Sequence, residues 1–138
     1  GDYNGSDEAF NAALKIDPDN TDVLSAYAYR LAEQDRRLDD ALLMAEKAYK
    51  MSDGEGSAIL ALSWTLAQSG DVERALDIIM EGIEATRDPG AMILERYGDI
   101  LFLNGREEEA ITQWQKALQK SGSNPDLREK IENRSLIR

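Results

Sequence analysis

The stretch LERYGDILFLNGREEEAITQWQKAL, residues 94–118, decides the fold. Leu94, Tyr97, Gly98 and Leu101 recur at helical spacing, Asn104-Gly105 interrupts them, and Ala110, Trp114, Ala117 and Leu118 resume the pattern. Two amphipathic runs around an Asn-Gly break predict a helical hairpin. The small residues Gly98 and Ala110 mark where its two helices come closest.

Working outward, the hairpin recurs. Leu24, Ile59 and Leu94 are each 35 residues apart, as are Tyr27, Leu62 and Tyr97, and Ala28, Ser63 and Gly98. In the second helices Ala41, Ala75 and Ala110 follow at 34 and 35. A period held at several columns signals a repeat architecture. The pattern of a large apolar residue, Tyr-Gly, a turn glycine and then Ala-x3-Trp-x2-Ala resembles the tetratricopeptide repeat (TPR).

That resemblance implies an all-α fold, an α-solenoid of antiparallel helical hairpins (a TPR superhelix) with a C-terminal capping helix. Residues 1–20 correspond to a truncated half-repeat, with Gly1-Asp2-Tyr3 at the inter-helix turn and Phe10, Ala13 and Leu14 on the inner face. Such a start implies a piece of a longer array or an end that caps itself by pairing. Residues 21–55, 56–90 and 91–122 correspond to three full repeats, and residues 123–138 to the cap. Thr21 is the expected N-cap of the first full repeat. Its turn, Gln34 to Arg37, lacks glycine, unlike those at Ser69-Gly70 and Asn104-Gly105, and is one residue longer than in the later repeats. Gly82, inside a second helix, costs roughly 1 kcal/mol against Ala and implies close packing. Pro125 opens the last helix, where Leu127 and Ile131 form a narrow apolar stripe and Arg128, Glu129, Lys130, Glu132 and Arg134 are expected to keep the rest in solvent. Residues 95–101, with Trp114 and residues 127–131, resemble the end of TPR proteins of the bacterial cell envelope. Bacterial cytoplasm and cell envelope both stay open as locations.

Composition narrows the function. The 138 residues are 42% hydrophobic, contain no Cys and no His, and carry a formal net charge of −11. No apolar run is long enough to span a membrane. The scattered Lys and Arg form no basic patch, so nucleic acid is a poor partner. Without His or Cys the chain lacks the commonest general base, metal ligand and thiol nucleophile, and no phosphate-binding glycine loop is present. Glu107-Glu108-Glu109 suits the positive end of a helix dipole. Asp17, Asp19 and Asp22 lie close together, but Asp22 and Ala28 stand where a calcium loop needs Gly and Glu. Neither catalysis, a cofactor nor a metal is expected.

The candidate site is geometric. In TPR arrays the first helix of each hairpin lines a concave groove. Its free positions here are Asp22, Ser25, Tyr29 and Glu33, then Ser57, Leu60, Trp64 and Gln68, then Met92, Glu95, Asp99 and Phe102. Tyr29, Trp64 and Asp99 share one column, and Phe102 is expected to face Trp64. Trp64 is the expected anchor, with packing against neighbouring helices as the alternative, because an aromatic buries much area with few rotatable bonds. Alanine at Trp64 and Tyr29 is expected to abolish binding and leave helicity intact. TPR domains that clamp C-terminal carboxylates need Lys, Arg and Asn along the groove, where this chain has only Arg96 nearby. The expected partner is therefore a peptide or protein segment with apolar anchors and basic residues. The alternative function is self-association into a homodimer through an exposed repeat end.

Overall fold

The computed structural model describes residues 4–136, so the turn expected at Gly1-Asp2-Tyr3 lies outside the described residues. Among the described residues there are eight α-helices and no strand: α1 (Asn4–Ile16), α2 (Thr21–Glu33), α3 (Leu38–Met51), α4 (Gly56–Gln68), α5 (Val72–Ala85), α6 (Ala91–Leu103), α7 (Glu107–Ser121) and α8 (Pro125–Asn133). Successive helices pack as antiparallel hairpins, and α2, α4 and α6 also pack side by side, so the chain is an α-solenoid with α8 closing its end.

The repeating columns are the core. Leu24, Ile59 and Leu94 are buried, as are Leu31, Leu66 and Leu101 about two turns further on, and Ala41, Ala75 and Ala110 show no exposed surface. Trp114 is also fully enclosed. It lies against Gly98 so closely that a Cβ there would stand 2.4 Å from its Cδ1. Gly82 answers a similar need, since a Cβ there would meet Ile59 Cδ1 at 2.8 Å. The glycine expected from close packing is thus explained by the neighbouring isoleucine. Central α4 touches α2, α3, α5 and α6, and its residues from Ala61 to Ala67 are all buried.

The starts of α2, α5 and α8 carry side-chain caps, with one correction. Asn20, not Thr21, is the N-cap of α2, and its side chain accepts from Val23 N at 3.1 Å. Asn124 caps α8 in the same way through Leu127 N, with Pro125 in the first turn. Both asparagines precede the expected start because the cap residue itself is non-helical. In the loop before α2, Asp17 Oδ1 accepts from Asp19 N at 3.2 Å.

The three hairpin turns close alike. Arg36, Asp71 and Arg106 donate their N–H groups to Leu31, Leu66 and Leu101. The residue before each donor is left-handed: Gly70 at φ 96° and Gly105 at φ 78°, but Asp35 at φ 52° in the first hairpin. The extra residue there, Arg37, is left-handed too. What the longer turn supplies is a clasp on α1: Arg36 Nη2 reaches Asp7 Oδ1 at 2.6 Å and Arg37 Nη1 reaches Asp7 Oδ2 at 3.4 Å. Phe10 of α1 stacks on Tyr27 with centroids 4.8 Å apart.

Ion pairs between elements share a direction. Among the described residues, Arg36 and Arg37 to Asp7, Lys47 to Asp19, Arg74 to Glu46 and Lys120 to Asp88 all join a cation to an acid earlier in the chain. Arg96 to Glu33, Lys130 to Glu95 and Arg134 to Glu107 do the same.

Left-handed backbone costs an L-residue about 1–2 kcal/mol, and glycine returns part of that gain through the freer unfolded chain. Asp35→Gly should therefore stabilise the protein by about 0.5–1 kcal/mol, read from the urea midpoint. An unchanged or lower midpoint would show that the Asp35 side chain holds the turn.

Candidate functional site

The inner face of α2, α4, α6 and α8 carries two clefts. One, of about 370 Å³, is lined by Glu33, Asp35, Trp64, Gln68, Arg96, Asp99, Lys130 and Leu136. The other, of about 190 Å³, is lined by Asp22, Ser25, Ala26, Tyr29, Ser57 and Leu60. Nine of the twelve expected groove residues thus line one cleft or the other. Met92, Glu95 and Phe102 line neither.

Arg96, in the wall of the larger cleft, bonds to Tyr29, in the wall of the smaller. Its Nε donates to Tyr29 Oη at 2.8 Å, its Nη1 donates to Asp99 Oδ2 at 3.0 Å, and its Nη2 lies 3.4 Å from Glu33 Oε2. The guanidinium also covers Trp64, with Cζ 4.1 Å from the ring centroid. One arginine thus contacts all three residues of the expected column, Tyr29, Trp64 and Asp99. Trp64 faces the cleft and is only 6% exposed, because α2 and α6 flank its helix and Arg96 lies over it. Its Nε1 is buried without a hydrogen-bond partner. Burial works against the Arg96 charge, but Tyr29 and Asp99 outweigh it and raise the guanidinium pKa further. Burial likewise pushes the Tyr29 phenol up, partly offset by Arg96.

Asp99, expected on the groove, is 1% exposed and belongs to the interior. Its Oδ1 accepts from Trp114 Nε1 and from Lys130 Nζ, each at 3.0 Å. Lys130 also donates to Glu95 Oε2 at 2.7 Å. Lys130, expected in solvent on the cap, is instead 6% exposed, because its ammonium completes the buried Asp99 site. A carboxylate accepting three charged or polar donors satisfies the burial penalty that a lone charge could not. Phe102 does not face Trp64: it stacks on Trp114 with centroids 5.9 Å apart.

Counting from the N-caps Asn20, Glu55, Gly90 and Asn124 exposes a rule the 35-residue register hid. Ala26, Ala61, Arg96 and Lys130 each stand sixth after their caps, and Tyr29, Trp64 and Asp99 stand ninth. Arg96 covers Trp64, and Lys130 binds Asp99. A long cation at the sixth position thus reaches the ninth position of the repeat before it. Where the sixth residue is Ala61, the face beneath stays open and Tyr29 is left for Arg96 to reach.

A family model described as tetratricopeptide repeat matches residues 1–123. The chain belongs to the tetratricopeptide repeat family. No curated protein matches it significantly. TPR arrays generally mediate protein–protein interaction and are generally not catalytic. Among the described residues of this TPR array no helix is long and apolar enough to cross a membrane, and no three His, Cys, Asp or Glu side chains gather as a metal site requires.

The site was partly hidden by two cations. Arg96 could have been found as a lone long cation below a column of alanines and three residues before an acid. The burial of Trp64 also changes how it can be probed. Truncating a buried Trp to Ala costs about 3–5 kcal/mol, so the variant tests folding as well as binding.

Removing one partner of a buried ion pair leaves the other uncompensated, and Asp99→Ala should cost about 3–5 kcal/mol in urea unfolding. Adding Lys130→Met should recover a large part of that loss, whereas additive losses would show the two side chains to be uncoupled. The raised Tyr29 pKa gives a second expectation. The stability it contributes is complete below the ordinary tyrosine value near 10 and is lost as pH rises through the higher folded value. Tyr49 and Tyr97 shift the same way, through burial first. Tyr29→Phe should therefore lose less stability than wild type between pH 9 and pH 11; an identical loss would show that Tyr29 does not contribute.

Proposed function

We propose that the protein binds an extended peptide or protein segment along the inner face of α2, α4 and α6. The observation that carries this reading is the Tyr29–Arg96 hydrogen bond, which joins a wall residue of one cleft to a wall residue of the other. A strand-like segment crossing both would place side chains into the clefts on either side of that bridge.

The partner's chemistry follows from which charges stay available. Asp99 and Glu95 are bound by Lys130, and Arg96 is held by Tyr29 and Asp99. The exposed carboxylates on this face are Asp22, Glu33 and Asp35, on a chain with net charge −11. Half-buried Leu60 and Tyr29 supply apolar surface between them. This supports a segment with apolar anchors flanked by Lys or Arg, and it gives a carboxylate clamp little to work with. Self-association has weaker support, because the exposed large apolar side chains Ile16, Leu43, Met51 and Met92 are spread over three helices.

A random peptide library displayed on phage and selected against the protein should enrich apolar residues beside Lys or Arg. Calorimetric titration of the leading peptide should show affinity falling about ten-fold or more in Leu60→Asp and in Glu33→Lys, with circular dichroism unchanged. Absence of enrichment, or full affinity in both variants, would overturn the groove.

A further inference from the structure

The chain leaves α8 through Arg134, which is left-handed at φ 51° and ψ 45°. Ser135 N donates back to Lys130 O at 3.1 Å, closing a reversing turn. The Arg134 guanidinium is fixed to α7, its Nε donating to Glu107 Oε1 at 2.9 Å and its Nη2 to Glu108. The turn delivers Leu136 to the larger cleft, where it is half-buried against the core cluster and shares the walls with Trp64, Gln68, Arg96 and Lys130. Among the described residues it is the one aliphatic side chain lining that cleft. Everything else there is charged, amide or indole.

We propose that Ser135-Leu136 is an intramolecular ligand of this cleft, holding the place of a partner segment that carries an aliphatic side chain next to a basic residue. This rests on the groove reading above and adds what the larger cleft accepts. Three observations select the occupant. The chain's own leucine forms part of its wall, which points to an aliphatic anchor. Glu33 and Asp35 stand exposed at the rim, which favours Lys or Arg beside the anchor. The sequence after Leu136 reads Ile137-Arg138, an aliphatic and basic pair of the same kind. Within Ser135-Leu136 one half-buried side chain and one backbone hydrogen bond hold the segment, so a partner with more contacts displaces it. Until then it lowers the apparent affinity of any competitor in proportion to its occupancy.

The probe is the acetylated and amidated hexapeptide of residues 133–138, Asn-Arg-Ser-Leu-Ile-Arg. It is titrated into wild type, Leu136→Asp and Leu136→Ser, and followed by the indole N–H resonances of Trp64 and Trp114. Both variants should bind saturably, with an apparent dissociation constant at least about five-fold lower than wild type, as expected if the cleft is free in no more than a fifth of wild-type molecules. A peptide with Asp in place of its Leu should not bind. Equal affinity for all three proteins would overturn self-occupation and leave the groove reading standing. No binding to either variant would also overturn it, and the phage selection then decides the groove reading separately.

Discussion

A carboxylate with almost no contact with solvent holds the last third of the molecule together. Asp99 projects from α6 and accepts from Trp114 of α7, Lys130 of α8 and Arg96 of its own helix. Burying a charge is costly unless donors replace water, and here three do so from three helices. The geometry of each donor then constrains something else. Trp114 must stand over residue 98, which excludes any Cβ there. Lys130 must turn inward, which fixes α8 on the array. Arg96, anchored at one end, spans α4 and reaches α2.

Arg96 also sets the character of the inner face. Without it, Tyr29 and Trp64 would present an open aromatic surface. With it, the guanidinium lies on the indole and donates to the phenol, and the aromatic column is a bridge between two clefts. Polar bridging of this sort specifies one arrangement of neighbouring repeats more sharply than apolar contact does. Of the acidic groups left at the surface, Glu33 touches Arg96 at the edge of the bridge.

The hairpin pattern was legible because packing acts locally: one apolar or small residue per turn, repeated every 35 residues, is enough to align Leu24 with Ile59 and Leu94. Gly82 and Gly98 were legible for the same reason, since only close approach explains glycine inside a helix. The asparagine caps, one residue ahead of Thr21 and Pro125, follow from side-chain hydrogen bonding that apolar spacing does not encode. Trp64 could be placed on the inner face from its register, but its burial depends on Arg96, 32 residues later. Lys130 read as a solvent residue because charge on a short polar helix is usually solvated, and only the position of Asp99 reverses that. Phe102 went astray because Trp114, its stacking partner, sits on the next helix.

The ion pairs that tie separate elements together run one way, from an acid to a cation further along the chain. On a ribosome this order has a temporal meaning. Each hairpin emerges with carboxylates whose counter-charges are still inside the exit tunnel, and the acids repel one another until the following helix arrives. Glu33 is the extreme case, because its guanidinium partner Arg96 lies 63 residues downstream on α6. In synthesis from the N-terminus each of these acids is therefore made before the cation that pairs with it.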